Sequence, residues 1–135
     1  MKFISQFYAD CRSFPTGFGS RDSKKGQPYS IISLNQIISL LENPYNLPKE
    51  QAPWFIPSNY FGTWAQSHEV QLEFGRFTCL TIDIDEDSPS VLDVIGACEA
   101  IFGDVHMLVY SSASTSLDNL KWRILLPFET LFKRL

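Results

Sequence analysis

The segment Thr81-Ile82-Asp83-Ile84-Asp85-Glu86-Asp87 is an apolar run that ends in an acidic alternation. Successive side chains of an extended strand point to opposite faces, so Asp83 and Asp85 project from one face, roughly 7 Å apart along the backbone. Two like charges at the end of a buried strand repel each other unless a cation or a hydrogen-bond donor lies between them. Mg²⁺ and Mn²⁺ prefer carboxylate oxygens and also bind phosphates, so the feature predicts a divalent-metal site.

The elements that surround this strand predict an α/β (α+β) fold. In order, the pattern predicts a strand over 76–85, a helix that starts at 88–90 and ends at Gly103, strands over 105–110 and 121–127, and a second helix over 129–135. This order is most of a ferredoxin-like βαββαβ unit, an RRM-like sheet with one or two packed helices, without its last strand.

The N-terminal half has a less regular pattern. Residues 1–30 mix aromatic residues with glycine and proline, which predicts a loop-rich entry. Apolar residues at i, i+3, i+4 and i+7 predict a short amphipathic helix over 33–41, with a serine as its N-cap. We therefore expect a single domain of 135 residues, in which 1–70 form a loop-rich N-terminal α/β segment and 71–135 an incomplete RRM-like βαββ unit.

Composition and charge narrow the class of protein. With 44% apolar and 14% aromatic residues the chain has the composition of a packed globular protein, and its net charge of −4 argues against holding duplex DNA by bulk electrostatics. Cys11, Cys79 and Cys98 have no metal-ligand spacing, which indicates buried, reduced thiols of a cytosolic protein. No run approaches membrane-spanning length. We expect a cytoplasmic protein that does not contact a membrane.

A hydroxyl-rich segment, residues 111–116, follows Tyr110 and leads to Lys121 and Arg123. Hydroxyls and backbone amides at the end of a strand can cradle phosphate, and a guanidinium can bind one in a fork. Serine-rich loops usually only connect helices and strands, so the segment alone is a weak indication of phosphate binding. The indication is stronger only because Lys121 and Arg123 follow it. Alternation places Lys121 and Arg123 on one face of their strand, so carboxylates, hydroxyls and a guanidinium are expected to converge where the strands end.

Three segments together resemble the archaeo-eukaryotic primase superfamily, in the primase-polymerase form found in phages and plasmids. They are Phe77–Asp85 with the helix after it, Val109–Thr115, and Lys121–Pro127, and residues 49–57 also resemble the approach to the family's first motif. The resemblance covers residues 35–130. Members of this family build RNA or DNA primers from nucleoside triphosphates on an RRM-like sheet.

The resemblance implies a role for each candidate residue. It makes Asp83 and Asp85 the catalytic ligands of Mg²⁺ or Mn²⁺. It makes the following residues nucleotide-binding: Ser112, Ser114, Thr115, Lys121 and Arg123. A nucleoside triphosphate and single-stranded nucleic acid are the implied partners. Two departures accompany the match, since Thr115 replaces the histidine that ends the family's second motif, and the family's third carboxylate has no counterpart before Leu135.

These observations support functions of different classes. The first is a primase-polymerase module of a phage or plasmid replication protein, favoured by Asp83 and Asp85. The alternative is a non-catalytic descendant, a small phage or mobile-element protein that binds or inhibits a protein partner such as a host defence or replication factor, favoured by the negative charge and the two departures. A metal-dependent phosphoesterase has less support, because no histidine or further carboxylate cluster accompanies the pair. Catalytic activity, sugar preference and oligomeric state are left open.

Overall fold

The computed structural model describes residues 13–18, 30–60 and 68–132. Within these residues the chain forms six β-strands and three α-helices, arranged in two compact units that are described separately. The elements are β1 (Ser13–Phe18), β2 (Ser30–Ser33), α1 (Leu34–Glu42), a short 3-10 helix (Lys49–Gln51), β3 (Pro53–Phe55), α2 (His68–Phe74), β4 (Phe77–Ile84), α3 (Val91–Phe102), β5 (Leu108–Ser111) and β6 (Trp122–Phe132).

One unit, Cys79–Glu129, is built on an antiparallel sheet with the strand order β4-β6-β5. The chain passes from β4 through α3 to β5, and β6 then inserts between those two strands. This strand order is that of the split βαβ arrangement in a ferredoxin-like sheet. The structure therefore confirms the predicted α+β class, with helices packed on a ferredoxin-like sheet.

Helix α3 covers one face of this sheet. Its Val94 and Cys98 pack with Ile124 and Leu126 of β6 into a buried cluster. Partly buried hydrophobic residues extend the cluster: Leu80, Ile82, Ile84, Phe102, Val105, Met107, Val109 and Trp122. Trp122 and Ile124 thus lie on the covered face, as the alternation in β6 predicts.

The ends of α3 follow the sequence signals closely. Ser90 is the N-cap and forms a capping box with Asp93, and the backbone N–H of Gly103 donates to the carbonyl of Glu99 at the C-terminal end. Gly103 has a φ of 76°, a left-handed value that glycine adopts without steric cost. The helix has 12 residues, and among the residues that the structure describes no helix is long and apolar enough to cross a bilayer.

The other unit contains a second antiparallel sheet, in which β1 lies between β2 and β3. Phe14 of β1 is fully buried, and its ring lies 5.5 Å from that of Phe55. Helix α1 follows β2 directly, with Ser33 as its N-cap in a capping box with Gln36. The prediction of a helix over 33–41 is confirmed.

The predicted loop-rich entry is wrong over residues 13–18, which form β1. Pro15 and Gly17 conceal this strand, because proline lacks the N–H that a ladder uses and is rare in a central strand. The carbonyl of Pro15 still accepts a hydrogen bond from the N–H of Ile56 at 3.0 Å, so the strand tolerates it. Residues 1–12 and 19–29, which make up most of the predicted loop, lie outside the described residues.

Two other boundaries differ from the prediction, and one helix was not predicted. Residues 129–132 continue β6 instead of starting a helix, since the aromatic and β-branched residues there favour a strand. Strand β5 begins at Leu108, three residues later than expected. Helix α2 was not predicted, because seven residues are too few to show a helical period.

Cys79 and Cys98 are buried and form no disulfide among the described residues, in agreement with the prediction of buried, reduced thiols, while Cys11 lies outside the described residues. Burial raises the pKa of the Cys98 thiol, because the charged form is poorly solvated there. A thiol in this state is a weak nucleophile and a packing group.

Candidate functional site

Arg123 of β6 and Asp83 of β4 form a two-pronged ion pair. Arg123 Nε donates to Asp83 Oδ1 at 2.5 Å, and its Nη2 donates to Oδ2 at 3.2 Å. The hydrogen bond to Asp83 raises the pKa of the Arg123 guanidinium, against a smaller lowering by burial. The side chains are 41% and 47% exposed, respectively, so a ligand can reach both partners from solvent.

The second predicted carboxylate, Asp85, faces Lys121, the residue directly before β6. Lys121 Nζ lies 3.9 Å from Asp85 Oδ1, a longer and looser contact than the arginine fork. Lys121 is 23% exposed and Asp85 is 63% exposed. Each carboxylate thus has its own basic partner, which supplies the positive charge that two neighbouring aspartates require.

Tyr110 of β5 extends the first ion pair across the sheet. It is paired in register with Arg123, so the two side chains project from the same face. Its hydroxyl is buried, and no hydrogen bond to it is found among the described residues, although the Arg123 guanidinium lies near enough to interact with it. Burial raises the pKa of Tyr110 to about 12, an effect that Arg123 partly offsets and Asp83 reinforces.

The hydroxyl-rich loop contacts the other end of the same face through Lys121. The N–H of Ser112 donates to the carbonyl of Lys121 at 3.0 Å, and the Oγ atoms of Ser112 and Ser114 lie 3.2 Å apart. Thr115 Oγ1 donates to the Lys121 carbonyl at 2.6 Å and accepts from the Lys121 N–H at 2.7 Å. The contacts form two groups, Asp83 with Arg123, and Asp85 and the loop with Lys121, which lies two residues before Arg123 in the chain. We call the seven candidate residues together the polar face: Asp83, Asp85, Ser112, Ser114, Thr115, Lys121 and Arg123.

The Thr115 hydroxyl stabilises the loop by two hydrogen bonds to the backbone of Lys121. A threonine hydroxyl carries one proton, and the proton of Thr115 is already donated to the Lys121 carbonyl. While that bond holds, Thr115 cannot donate to a phosphate oxygen. Thr115 therefore ties the hydroxyl-rich loop to the backbone at the start of β6.

A strained turn between β4 and α3 positions the end of the polar face. Asp87 and Ser88 have φ values of 64° and 45°, in the left-handed region. Ser88 Oγ accepts from the N–H of Leu120 at 3.2 Å, and Trp122 Nε1 donates to the carbonyl of Pro89 at 2.8 Å. The turn composition is visible in the sequence, but its partners 31 to 33 residues away are not.

The donor set offers a divalent metal only part of its coordination. Within the described part of the chain no three His, Cys, Asp or Glu side chains gather into a possible metal site. Asp83 and Asp85 provide two carboxylates, and Mg²⁺ commonly binds through one or two carboxylates together with waters and substrate phosphates. The residues present fit a metal that arrives with a phosphate ligand better than a metal held by protein alone.

Comparison of the chain with protein-family models, with curated proteins and with solved structures finds no match. What the polar face can bind is therefore argued from its own residues and geometry.

Proposed function

We propose that the polar face binds a divalent metal together with the phosphates of a nucleoside triphosphate, as a module of the primase-polymerase type. One observation carries the proposal. Asp83 of β4 is paired with Arg123 of β6, and Asp85, just after β4, lies beside Lys121, just before β6. Two carboxylates and two cations paired in this way form a site for a ligand that itself carries both signs of charge.

The charge balance of these pairs selects the ligand. A bare metal ion on the carboxylates leaves Arg123 and Lys121 without their partners and close to a second cation. A bare phosphate on the basic residues leaves the two carboxylates beside an anion. A metal–triphosphate complex replaces both partners at once, because its metal takes the carboxylates and its phosphate oxygens take the guanidinium and the ammonium.

Each residue then has a definite task. Asp83 and Asp85 hold the metal, Arg123 grips a phosphate through its fork, and Lys121 neutralises phosphate charge. Ser112 and Ser114 have hydroxyls at the same end that can donate to phosphate oxygens. A bound Mg²⁺ or Mn²⁺ supplies Lewis-acid polarisation of the phosphoryl group. In primer synthesis a 3′ hydroxyl attacks the α-phosphate and releases diphosphate, and these residues hold the triphosphate in line for that attack.

The proposal includes single-stranded nucleic acid as template and a place in the cytoplasm of a cell that hosts a phage or plasmid. Nucleic-acid contact must be local, since the chain carries a net charge of −4.

Metal dependence of triphosphate binding tests the proposal. Labelled nucleoside triphosphate is titrated with wild type, Asp83→Asn and Arg123→Gln, with and without Mn²⁺. We expect wild type to bind only with Mn²⁺, Asp83→Asn to lose this metal-dependent increment, and Arg123→Gln to bind about tenfold or more weakly, as loss of a charged hydrogen-bonded fork predicts. Asp104→Asn, at an exposed aspartate after α3, is the matched control and keeps full binding. Equal binding by all four proteins contradicts the proposal.

A second candidate is the non-catalytic module that binds or inhibits a protein partner. The observation that favours it is the hydroxyl of Thr115, which the Lys121 backbone occupies at the position where the family carries a histidine. If this candidate is right, Asp83→Ala leaves complex formation unchanged, and charge reversal on the contacting surface abolishes it.

A further inference from the structure

The outward side of α3 is mostly apolar although it faces solvent, and Asp93 and Glu99 are the charged residues exposed on this helix. Leu92 is 76% exposed and Ile101 is 73% exposed, which is unusual for large aliphatic side chains on a single helix. Gly96, Ala97 and Ala100 are exposed between them. These five residues, Leu92, Gly96, Ala97, Ala100 and Ile101, are the α3 outer face.

The helical positions of these residues give the α3 outer face a shape. Leu92 and Ile101 are nine residues apart, which is about 13 Å along the axis and about half a turn around it. The two large side chains therefore stand at opposite ends and on opposite flanks. The small residues lie between them and form a shallow depression, with Asp93 at its N-terminal end. Helices pack against each other by fitting ridges of one into such grooves of the other.

Gly96 is not needed for packing against any residue that the structure describes. A Cβ atom added at Gly96 would meet nothing within 4 Å, and its backbone does not have the positive φ that requires glycine. A glycine in mid-helix costs about 0.5–1 kcal/mol relative to alanine. Close approach of a second backbone at this point is a physical reason to keep it.

The charges around the α3 outer face limit what can cover it. Asp93 and Glu99 are exposed on the helix and Asp104 follows it, while α3 itself contains no lysine or arginine. A second copy would bring acidic flanks against acidic flanks, in a chain that already has a net charge of −4. A partner with lysine or arginine beside its apolar contact is electrostatically complementary.

We propose that the α3 outer face docks a helix of a partner protein, one with a small-residue or aliphatic contact stripe flanked by lysine or arginine. The docking surface is independent of the metal–nucleotide site, because α3 covers the sheet face opposite to the one that carries Asp83 and Arg123. A contact of one helix on one helix is small, so we expect a transient complex with a Kd of about 1–100 µM.

Three synthetic helical peptides test this surface. They share one alanine- and leucine-lined face and differ only in the flanking positions, which are all lysine, all glutamine or all glutamate. Binding is followed by fluorescence anisotropy against wild type, Gly96→Ala, Gly96→Leu and Leu72→Ala. Leu72 is an exposed leucine outside α3 and serves as the matched control for non-specific apolar binding. Thermal melting monitors the fold of each variant, and sedimentation measures self-association of wild type and Gly96→Leu.

We expect the lysine peptide to bind wild type at least tenfold more tightly than the glutamate peptide, with the glutamine peptide between them. Gly96→Leu should reduce that binding at least tenfold and Leu72→Ala should leave it unchanged. Gly96→Ala should raise the melting temperature of the protein and weaken its binding of the lysine peptide. Misfolding of the variant cannot produce this combination. The proposal is overturned if no peptide binds, if the lysine and glutamate peptides bind alike, or if Gly96→Leu binds as wild type does. It is equally overturned if wild type dimerises and Gly96→Leu does not, since a second copy is then the occupant.

Discussion

Asp83 and Arg123 lie 40 residues apart in the sequence, and their carboxylate and guanidinium groups meet through two hydrogen bonds on adjacent strands. The pair lies on the sheet face opposite the one that α3 covers. It therefore joins β4 to β6 by charge on the face where the hydrophobic cluster does not reach. The same geometry keeps both groups accessible to a ligand.

A double-mutant cycle measures how strongly the pair is coupled. Unfolding of wild type, Asp83→Asn, Arg123→Gln and the double variant is followed in urea at low and high salt. We expect a coupling free energy of about 0.5–1 kcal/mol at low salt, because both groups are partly exposed, and a smaller value in high salt. No coupling at low salt would show that the fork does not persist in solution.

The hydroxyl of Thr115 should matter more for stability than its methyl group. Thr115→Val keeps the shape and removes both hydrogen bonds to the backbone of Lys121, so we expect a loss of about 1–2 kcal/mol in the free energy of unfolding. Thr115→Ser keeps the hydroxyl and should lose less than half as much. If serine and valine are equally destabilising, the hydrogen bonds are not the source of the effect.

The elements with strong local signals were predictable. The apolar run of β4 and the capped, periodic α3 and α1 were read from spacing and end residues. Alternation over 121–124, at the start of β6, correctly separated Lys121 and Arg123 from Trp122 and Ile124. These elements can be predicted because the residues that specify each one lie within a few positions of one another in the sequence.

The remaining features depend on partners that are distant in sequence. The register that sets Tyr110 opposite Arg123 is decided by the pairing of β5 with β6, and no pattern within either strand encodes it. The convergence of carboxylates and basic residues was predicted, but which basic residue lies beside each aspartate depends on the same kind of distant pairing. Strand β1 was not predicted because Pro15 lacks the N–H of a ladder hydrogen bond. Pairing with distant strands stabilises β1 despite this missing bond.

Tyr110 should make the protein sensitive to alkali. Its pKa of about 12 in the folded chain exceeds the ordinary value of 10, so the neutral phenol is favoured by folding. This contribution is complete below about pH 10 and is lost as the pH rises through 12, at about 1.4 kcal/mol per pH unit, or roughly 3 kcal/mol in all. Urea unfolding between pH 9 and 12 measures this loss of stability in wild type, and Tyr110→Phe should not show it.

At neutral pH Tyr110→Phe should change the free energy of unfolding by less than about 1 kcal/mol. The substitution removes a buried hydroxyl that lacks a hydrogen-bond partner among the described residues. The absorbance of tyrosinate gives an independent reading, since the component that Tyr110→Phe removes should titrate near pH 12. A removed component that titrates near pH 10 would mean that the hydroxyl is not buried in solution.

The turn before α3 offers a stabilising substitution. Asp87 adopts a left-handed φ of 64°, so Asp87→Gly should raise the free energy of unfolding by up to about 1 kcal/mol. Glu86→Gly, one residue earlier and without a positive φ, is the matched control and should not stabilise. Thermal or urea unfolding distinguishes the two, and equal destabilisation by both would show that the turn is not strained.

Calorimetric titration with a nucleoside triphosphate in the presence of Mn²⁺ tests the central claim most directly. Wild type, Asp83→Ala and the surface control Asp104→Ala are compared, and thermal melting confirms that each variant is folded. The account predicts saturable binding by wild type and by Asp104→Ala, and none by Asp83→Ala. Failure of folded wild type to bind, or an isotherm that Asp83→Ala leaves unchanged, would contradict the metal–nucleotide site.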